Sequence, residues 1–63
     1  MHHPEFPNAK YCARQPGGAV TYYFDENKVE LGWAIDNKVF LKLEKPRVWH
    51  ESFLDKMNWT VLN

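Results

Sequence analysis

Three histidines and one cysteine are the residues of this chain best suited to metal or thiol chemistry. His2 and His3 are adjacent, while Cys12 and His50 stand alone, so no pair has the spacing of a zinc site. A histidine at the third position of a free amino terminus can bind Cu(II) through a planar set of nitrogens. We interpret Met1-His2-His3 as a solvated terminus instead. The sequence therefore predicts no metal and no cofactor.

The residues that could support nucleophilic catalysis lack the usual sequence context. Ser52 and Cys12 are not part of a nucleophile motif such as G-x-S-x-G. Glu51 and Asp55 lie near His50 on a predicted helix, where they are typical of a solvated polar face. Neither a phosphate-binding P-loop nor a dinucleotide-binding G-x-G-x-x-G sequence occurs. We therefore predict that the protein is not an enzyme.

The aromatic residues, which make up 16% of the chain, suggest binding instead. Tyr23 and Phe40 are expected on one face of a β-sheet, beside the small residues Gly32 and Ala34. Exposed aromatic rings around a shallow depression are typical of an interaction surface. Trp59, on a short terminal strand, is a further candidate anchor, since tryptophan is enriched among residues that dominate binding. These five residues are the predicted partner-binding site.

The same face has a second interpretation, in which the amino-terminal segment covers it. Phe6, Pro7 and Tyr11 are the apolar residues available for that role. A domain of this size must use its chain economically to build a core. Both interpretations remain open at this point.

Length and charge exclude several classes of function. The chain has 63 residues, enough for one domain, and its eight basic residues balance eight acidic ones. A net charge of zero provides no general attraction to duplex nucleic acid or to an anionic membrane. The start of the chain does not resemble a signal peptide, and no apolar run reaches the ~20 residues of a membrane span. With a single cysteine, the composition predicts a cytoplasmic protein.

Three segments alternate apolar and polar residues with the period of a half-buried strand. Polar residues at 25–28 and 36–38 separate them and predict turns, with Asn37 or Lys38 near the left-handed region. The apolar positions must face one another across the sheet. This requirement predicts Phe24 opposite Val29, Tyr22 opposite Leu31, Val20 opposite Trp33, Ile35 opposite Val39, Trp33 opposite Leu41 and Leu31 opposite Leu43.

A helix and a short last strand are predicted after the three strands. Pro46 suits the first turn of a helix, and Trp49, Phe53 and Met57 recur on one side of it. Asn58 can end the helix, and residues 59–62 then form a fourth strand at an edge of the sheet. The predicted fold is thus a small α+β antiparallel meander with one helix on its apolar face. Residues 1–18 are expected to be an irregular segment, and residues 19–63 a single β-β-β-α-β domain.

These features predict a small protein-binding module, an adaptor or stoichiometric inhibitor of a larger protein that also self-associates as a homodimer. Accessory proteins of phages and mobile elements often have this size and composition, and they provide an analogy at the level of protein class only. The alternative is a small sheet that binds single-stranded nucleic acid by stacking bases on Tyr23 and Phe40, with Lys38 and Lys42 nearby. A neutral chain lacks the counterion release that dominates such binding, so protein is the preferred partner.

Overall fold

The computed structural model describes residues 3–62, which form five β-strands and one short helix. In chain order the elements are β1 (Tyr11–Arg14), β2 (Val20–Phe24), β3 (Val29–Ile35), β4 (Val39–Val48), α1 (Glu51–Leu54) and β5 (Asn58–Val61). Neighbouring strands are antiparallel, and their order across the sheet is β4-β3-β2-β1-β5. The protein is mostly β, so the predicted α+β class with a three-strand meander is confirmed only in part.

Strand β1 was not predicted, because it lies inside the segment expected to be irregular. Its four residues fit between Pro7 and Pro16, which lie outside the strand and cost it no hydrogen bond. Strand β1 pairs with β2 on one side and with β5 on the other. The last strand is therefore at an edge of the sheet, as predicted, with β1 as its neighbour.

The three consecutive strands β2, β3 and β4 form the predicted meander, and the second hairpin has the predicted register near its turn. The predicted pair of Leu31 with Leu43 does not form, because the register shifts between the Gly32–Lys42 and Glu30–Arg47 pairs. Ile35 pairs with Val39, Trp33 with Leu41 and Ala34 with Phe40. The connecting turn uses two left-handed residues, Asp36 with φ of 52° and Asn37 with φ of 57°. Asp and Asn tolerate this region better than most residues, which is why a polar Asp-Asn pair closes the hairpin.

The predicted register of the first hairpin was wrong. Val20 pairs with Ile35 and Tyr22 with Trp33, two residues farther along β3 than predicted. A β-bulge follows: Tyr23 pairs with Gly32 while Phe24 pairs with Glu30, so Leu31 is an extra residue on β3. The bulge moves Glu30 to the face that carries Phe24, whereas the predicted pairing of Phe24 with Val29 would have set Glu30 on the other face.

The helix is much shorter than the predicted one, which began at Pro46. Strand β4 spans Val39–Val48, and Pro46 lies where its pairing with β3 shifts register, between the Gly32–Lys42 and Glu30–Arg47 pairs, so no ladder hydrogen bond is required of it. Helix α1 is a single turn whose cap is His50, with Nδ1 accepting a hydrogen bond from the Ser52 backbone N–H at 3.2 Å. Among the described residues, no helix has the length and apolar character needed to cross a membrane.

Each face of the sheet has its own buried cluster. On one side, which we call the closed face, residues 3–9 cover the cluster Phe6, Tyr23 and Ala34, with Ala9, Cys12, Leu31, Phe40 and Leu62 packed against it. On the other side, the helix face, the cluster is Ala13, Phe24 and Met57, with Tyr11, Tyr22, Trp49, Leu54 and Trp59 around it.

Candidate functional site

Four of the five predicted partner-binding residues do lie together, on the closed face. Tyr23 pairs with Gly32, and Ala34 pairs with Phe40. Three of the four are buried, and Phe40 is half-buried. Their assignment to partner binding stays a prediction, since a partner can reach Phe40 directly but the other three only after the covering segment moves.

The covering residue is Phe6, which fills the depression that the sequence predicted between Tyr23 and Phe40. The rings of Phe6 and Tyr23 stack with centroids 4.5 Å apart and planes 12° apart. Gly32 makes room for this ring, because a Cβ at that position would lie 2.6 Å from Phe6 Cε1 and would also collide with the Leu41 carbonyl oxygen. The small residues of β3 thus serve as the floor of an occupied cavity.

His3 adds a further ring above the same cluster. Its centroid lies 4.8 Å from that of Tyr23 and 5.1 Å from that of Phe40, with both pairs of planes tilted. Offset and tilted arrangements of this kind are favourable for aromatic rings. Phe6 and His3 together make residues 3–9 an integral part of the fold.

The fifth predicted residue, Trp59, lies on the helix face and is half-buried. Its ring centroid is 4.8 Å from that of Phe24, and its indole N–H donates a hydrogen bond to the Leu54 carbonyl at 2.8 Å. The ammonium of Lys28 lies 4.6 Å from the Trp59 ring centroid, within the range of a cation–π contact. Its contacts are those of a residue that closes the core, and its predicted role in binding is untested.

The prominent exposed feature is a set of apolar residues at the far end of the helix face. The side chains of cross-strand partners point to the same face of a sheet. At this end, side chains from β2, β3 and β4 therefore form two adjacent rows. Val20, Ile35 and Val39 form one row; Tyr22, Trp33 and Leu41 form the next. We call Val20, Trp33, Ile35, Val39 and Leu41 the open ladder. Ile35 is 38% exposed, Val39 52% and Leu41 41%.

The open ladder is uncovered because the carboxyl-terminal segment covers only the other end of the helix face. Trp49 packs on Tyr22 with ring centroids 4.8 Å apart, and Leu54 and Met57 lie against the cluster around Phe24. With one turn in α1, no chain remains to extend this cover. Phe53, predicted for the buried stripe of a longer helix, is 52% exposed.

A buried carboxylate lies next to the open ladder, and the sequence analysis did not identify it. Glu30 is fully buried, and its Oε1 accepts hydrogen bonds from Arg47 Nε and Trp49 Nε1, each at 2.6 Å. Arg47 Nη2 also lies 2.6 Å from the same oxygen, while Oε2 has no partner among residues 3–62. The bulge at Leu31 creates this arrangement, and strand alternation alone contains no signal for it.

Arg47 links this carboxylate to the surface. Its side chain is 53% exposed, and its guanidinium carbon lies 5.8 Å from the Trp33 ring centroid and 5.4 Å from that of Trp49. Hydrogen bonds to Glu30 and contact with two indole rings hold the arginine in one orientation. The open ladder is therefore bordered by a cation of defined position.

A shallow groove of about 900 Å³ lies on the side of the closed face nearest β1 and β5. Arg14 is one of its polar groups, and its Nε donates a hydrogen bond to Thr21 Oγ1 at 3.0 Å. No carboxylate is found among the described residues that line the groove. The groove can admit a small polar molecule, and the structure shows no pairing of a nucleophile with a base in this part of the chain.

Two weakly acidic groups beside this groove have raised pKa values. Burial raises the pKa of the Cys12 thiol above 9.0, and this effect outweighs the opposing effects of the Thr60 hydrogen bond and the Arg14 charge. Burial also raises the pKa of the Tyr23 phenol above 10.0. Both groups are neutral near pH 7, and a neutral thiol is a poor nucleophile.

The remaining candidates for chemistry do not converge. His50 Nδ1 lies 2.8 Å from Ser52 Oγ, but both belong to the cap of α1 and not to a cleft. Residues 3–62 contain no group of three side chains placed to hold a metal ion. Met1 and His2, which complete the amino-terminal copper motif, lie outside the described residues.

The chain was compared with models of protein families, with curated proteins and with solved structures, and no match was found in any of the three comparisons. Function must therefore be argued from the surface itself, because a fold alone does not define an activity.

Proposed function

We propose that this protein is a non-enzymatic protein-binding module, an adaptor or stoichiometric inhibitor, that binds a larger protein through the open ladder. The observation that carries the proposal is the exposure of adjacent aliphatic residues on a part of the sheet that residues 3–62 leave uncovered. Large apolar patches on small folded domains are typical of protein interaction sites.

The border of the open ladder supports the same proposal. Tryptophan and arginine dominate the energetics of many protein interfaces, and here Trp33 lies in the ladder with Arg47 beside it. Because Glu30 and Trp49 already hold Arg47, binding would immobilise little further side-chain freedom. The partner that fits is a protein with its own apolar surface, flat enough to lie on three strands.

The nucleic-acid alternative is less well supported by the accessible rings. It needs Tyr23 and Phe40 as stacking platforms, yet Tyr23 is 4% exposed and already stacked on Phe6. Of the four residues named for this function, Phe40, Lys38 and Lys42 are accessible. They provide a single aromatic ring, whereas the stacking of several bases needs several rings. We therefore favour protein as the partner.

The test compares matched valine and isoleucine substitutions on and off the open ladder. The double variant Ile35→Thr with Val39→Thr keeps β-branched shape while adding two hydroxyl groups to the ladder. Val61→Thr makes the same change at a residue of similar exposure, 54%, on β5. Immobilised proteins would be used to capture partners from native lysate, with stoichiometry measured by quantitative mass spectrometry.

We expect a partner captured in stoichiometric amount by the wild type and by Val61→Thr, and at least about tenfold less by the ladder variant, since two desolvated hydroxyls cost on the order of 1–3 kcal/mol each. Equal capture by all three proteins would refute the assignment to the open ladder. Tight binding of single-stranded DNA or RNA in fluorescence anisotropy, without any captured protein, would favour the alternative function.

A further inference from the structure

The end of the closed face nearest β1 and β5 carries polar side chains, unlike the apolar cluster beside it. Cross-strand pairing sets two adjacent rows of side chains there, and all of them line the groove. Thr60, Cys12 and Tyr23 form one row, and Asn58, Arg14 and Thr21 form the next. The floor of the groove therefore combines a guanidinium with hydroxyl, amide, thiol and phenol groups, and its described lining contains no Asp or Glu.

The side chain of Arg14 is oriented by a buried hydroxyl group. Its Nε donates a hydrogen bond to Thr21 Oγ1 at 3.0 Å, and Thr21 is 7% exposed. This bond uses one of the five N–H donors of the guanidinium, which leaves the four on its two terminal nitrogens. Within residues 3–62, the ion pair found is that of Glu30 with Arg47, so no carboxylate of this region neutralises Arg14. A guanidinium held in this way can bind the two oxygens of a carboxylate or phosphate group side by side.

A tight turn borders the groove without closing it. The Gly18 N–H donates a hydrogen bond to the Gln15 carbonyl at 2.9 Å, with Pro16 and Gly17 between them. Gly17 has a φ of 75°, and a proline followed by a left-handed glycine is typical of a type II turn. A Cβ at Gly17 would meet no atom within 4 Å beyond its chain neighbours in the described part of the chain. A ligand can therefore enter the groove past this turn.

We propose that the groove binds a small organic anion, whose carboxylate or phosphate group lies on Arg14 and whose uncharged part lies along the groove toward Phe40. The groove volume of about 900 Å³ is within the range of about 300–1,000 Å³ that is typical of small-molecule sites. Phe40 and Leu62 provide apolar lining for the uncharged part. Hard metal cations bind through carboxylates, which the described lining lacks, so an anion is the ligand that fits.

The charge of Arg14 acts on the floor of the groove. Burial is the largest effect on the pKa values of Cys12 and Tyr23 and raises both, while the Arg14 charge acts on both in the opposite direction. The thiol and the phenol thus lie within the field of the guanidinium. Because both are neutral near pH 7, they do not repel an anion and can donate hydrogen bonds to it.

The experiment uses benzoate and phenyl phosphate as anionic probes, and benzamide as the neutral counterpart of benzoate. Binding to the full chain would be followed by NMR chemical shifts of the backbone amides and of the Arg14 Nε–H group. We expect saturable shifts at the groove residues of β1, β2 and β5, and the probe that binds more tightly identifies the preferred acidic group. Benzamide should bind about tenfold or more weakly than benzoate, because hydrogen bonds to an ionised acceptor are the stronger ones.

Matched variants separate a built site from the general attraction of an anion to a cation. Arg14→Gln removes the guanidinium from the groove, and we expect the dissociation constant of the anionic probe to rise about tenfold or more. Lys56→Gln makes the same change of net charge at an exposed residue outside the groove and should bind like the wild type. Thr21→Val keeps the β-branched shape but removes the acceptor for Arg14 Nε, so a rise of about threefold is expected. Circular dichroism would verify that all variants are folded.

Three results would overturn the inference: shifts that do not saturate with either anion up to about 20 mM, equal affinity for benzoate and benzamide, or equal weakening in Arg14→Gln and Lys56→Gln. None of them affects the proposed function, since the open ladder lies on the other face of the sheet and its test leaves Arg14 unchanged. Conversely, anion binding with the expected dependence on Arg14 would stand even if capture of a larger protein ignored the ladder.

Discussion

The two faces of this sheet differ in what covers them. On the closed face, residues 3–9 place the Phe6 ring into a depression over Gly32, and the cluster below it is buried. On the helix face, the segment after β4 covers one half, and the open ladder stays exposed. Both faces carry apolar side chains along β2 to β4, so the presence of apolar residues alone does not explain the difference.

The difference teaches that the length of chain available to a face decides whether the face becomes core or surface. Strand β4 runs to Val48 and leaves few residues for a helix before β5 begins at Asn58. On the other side of the sheet, residues 3–9 precede β1, and their rings pack across the closed face. A face without cover is therefore the one available to another molecule.

Removing the cover from the closed face should have the largest effect. Phe6→Ala deletes a ring that is 3% exposed, and such changes cost about 3–5 kcal/mol. A domain of this size has a net stability of roughly the same amount. We therefore expect Phe6→Ala to be largely unfolded at 25 °C, as measured by circular dichroism and urea titration. A stable, cooperatively folded variant would show that residues 3–9 are dispensable.

Disrupting the contact between Glu30 and Arg47 should have the next largest effect on stability. The two residues should differ in how much stability their substitution costs. Arg47→Met leaves the fully buried Glu30 without its cation, which should cost about 3 kcal/mol. Glu30→Gln leaves a half-exposed arginine that water can solvate, so about 1 kcal/mol is expected. Urea unfolding of both variants measures the difference. Equal losses would contradict the assignment of the buried charge to Glu30.

Alkaline pH should weaken the closed face specifically. The pKa values of Cys12 and Tyr23 are raised in the folded state, so folding favours their neutral forms. Their contribution is complete below the unfolded pKa values, near 9.0 and 10.0, and is lost as pH rises through the folded ones. We expect the melting temperature to fall above about pH 9, and to fall less steeply in Cys12→Ala. An identical pH dependence in that variant would exclude the thiol as a cause.

Changes within the open ladder should have the smallest effect on stability. Val39→Thr alters a side chain that is 52% exposed, and surface substitutions usually change stability by less than about 0.5 kcal/mol. Urea unfolding at low protein concentration would measure this. A loss similar to that of Phe6→Ala would show that the ladder is core in solution and would remove the contrast between the faces.

The sequence predicted the parts of the fold that depend on local pattern. Alternating residues identified β2, β3 and β4, and the polar residues 36–38 marked the turn that sets the second register. Of the two residues predicted for the left-handed region, Asn37 adopts it and Lys38 does not, while Asp36 also adopts it. The first register differs from the predicted one by two residues. One arises at the turn, where Phe24 pairs with Glu30 and not with Val29, and the bulge at Leu31 adds the second; alternation contains no sign of such an insertion. The helix was predicted too long because Pro46, a frequent helix starter, also fits an edge strand.

The sequence predicted that four of the five proposed partner-binding residues share a face, but it did not predict how exposed they are. Tyr23, Gly32, Ala34 and Phe40 were correctly grouped on one face, and the second interpretation named Phe6 among the residues available to cover them. Which face stays open depends on β1 and on the end of β4, both non-local outcomes of strand pairing. The Glu30–Arg47 contact spans 17 residues and likewise has no local signature.

The most direct test of the account compares capture of a larger protein by the wild type, by Ile35→Thr with Val39→Thr, and by Val61→Thr. The account predicts stoichiometric capture by the wild type and by Val61→Thr, and a loss of about tenfold or more in the ladder variant. Val61 is a suitable reference because it is 54% exposed and lies on β5, at the opposite edge of the sheet from β4. Equal capture by all three proteins would contradict the account.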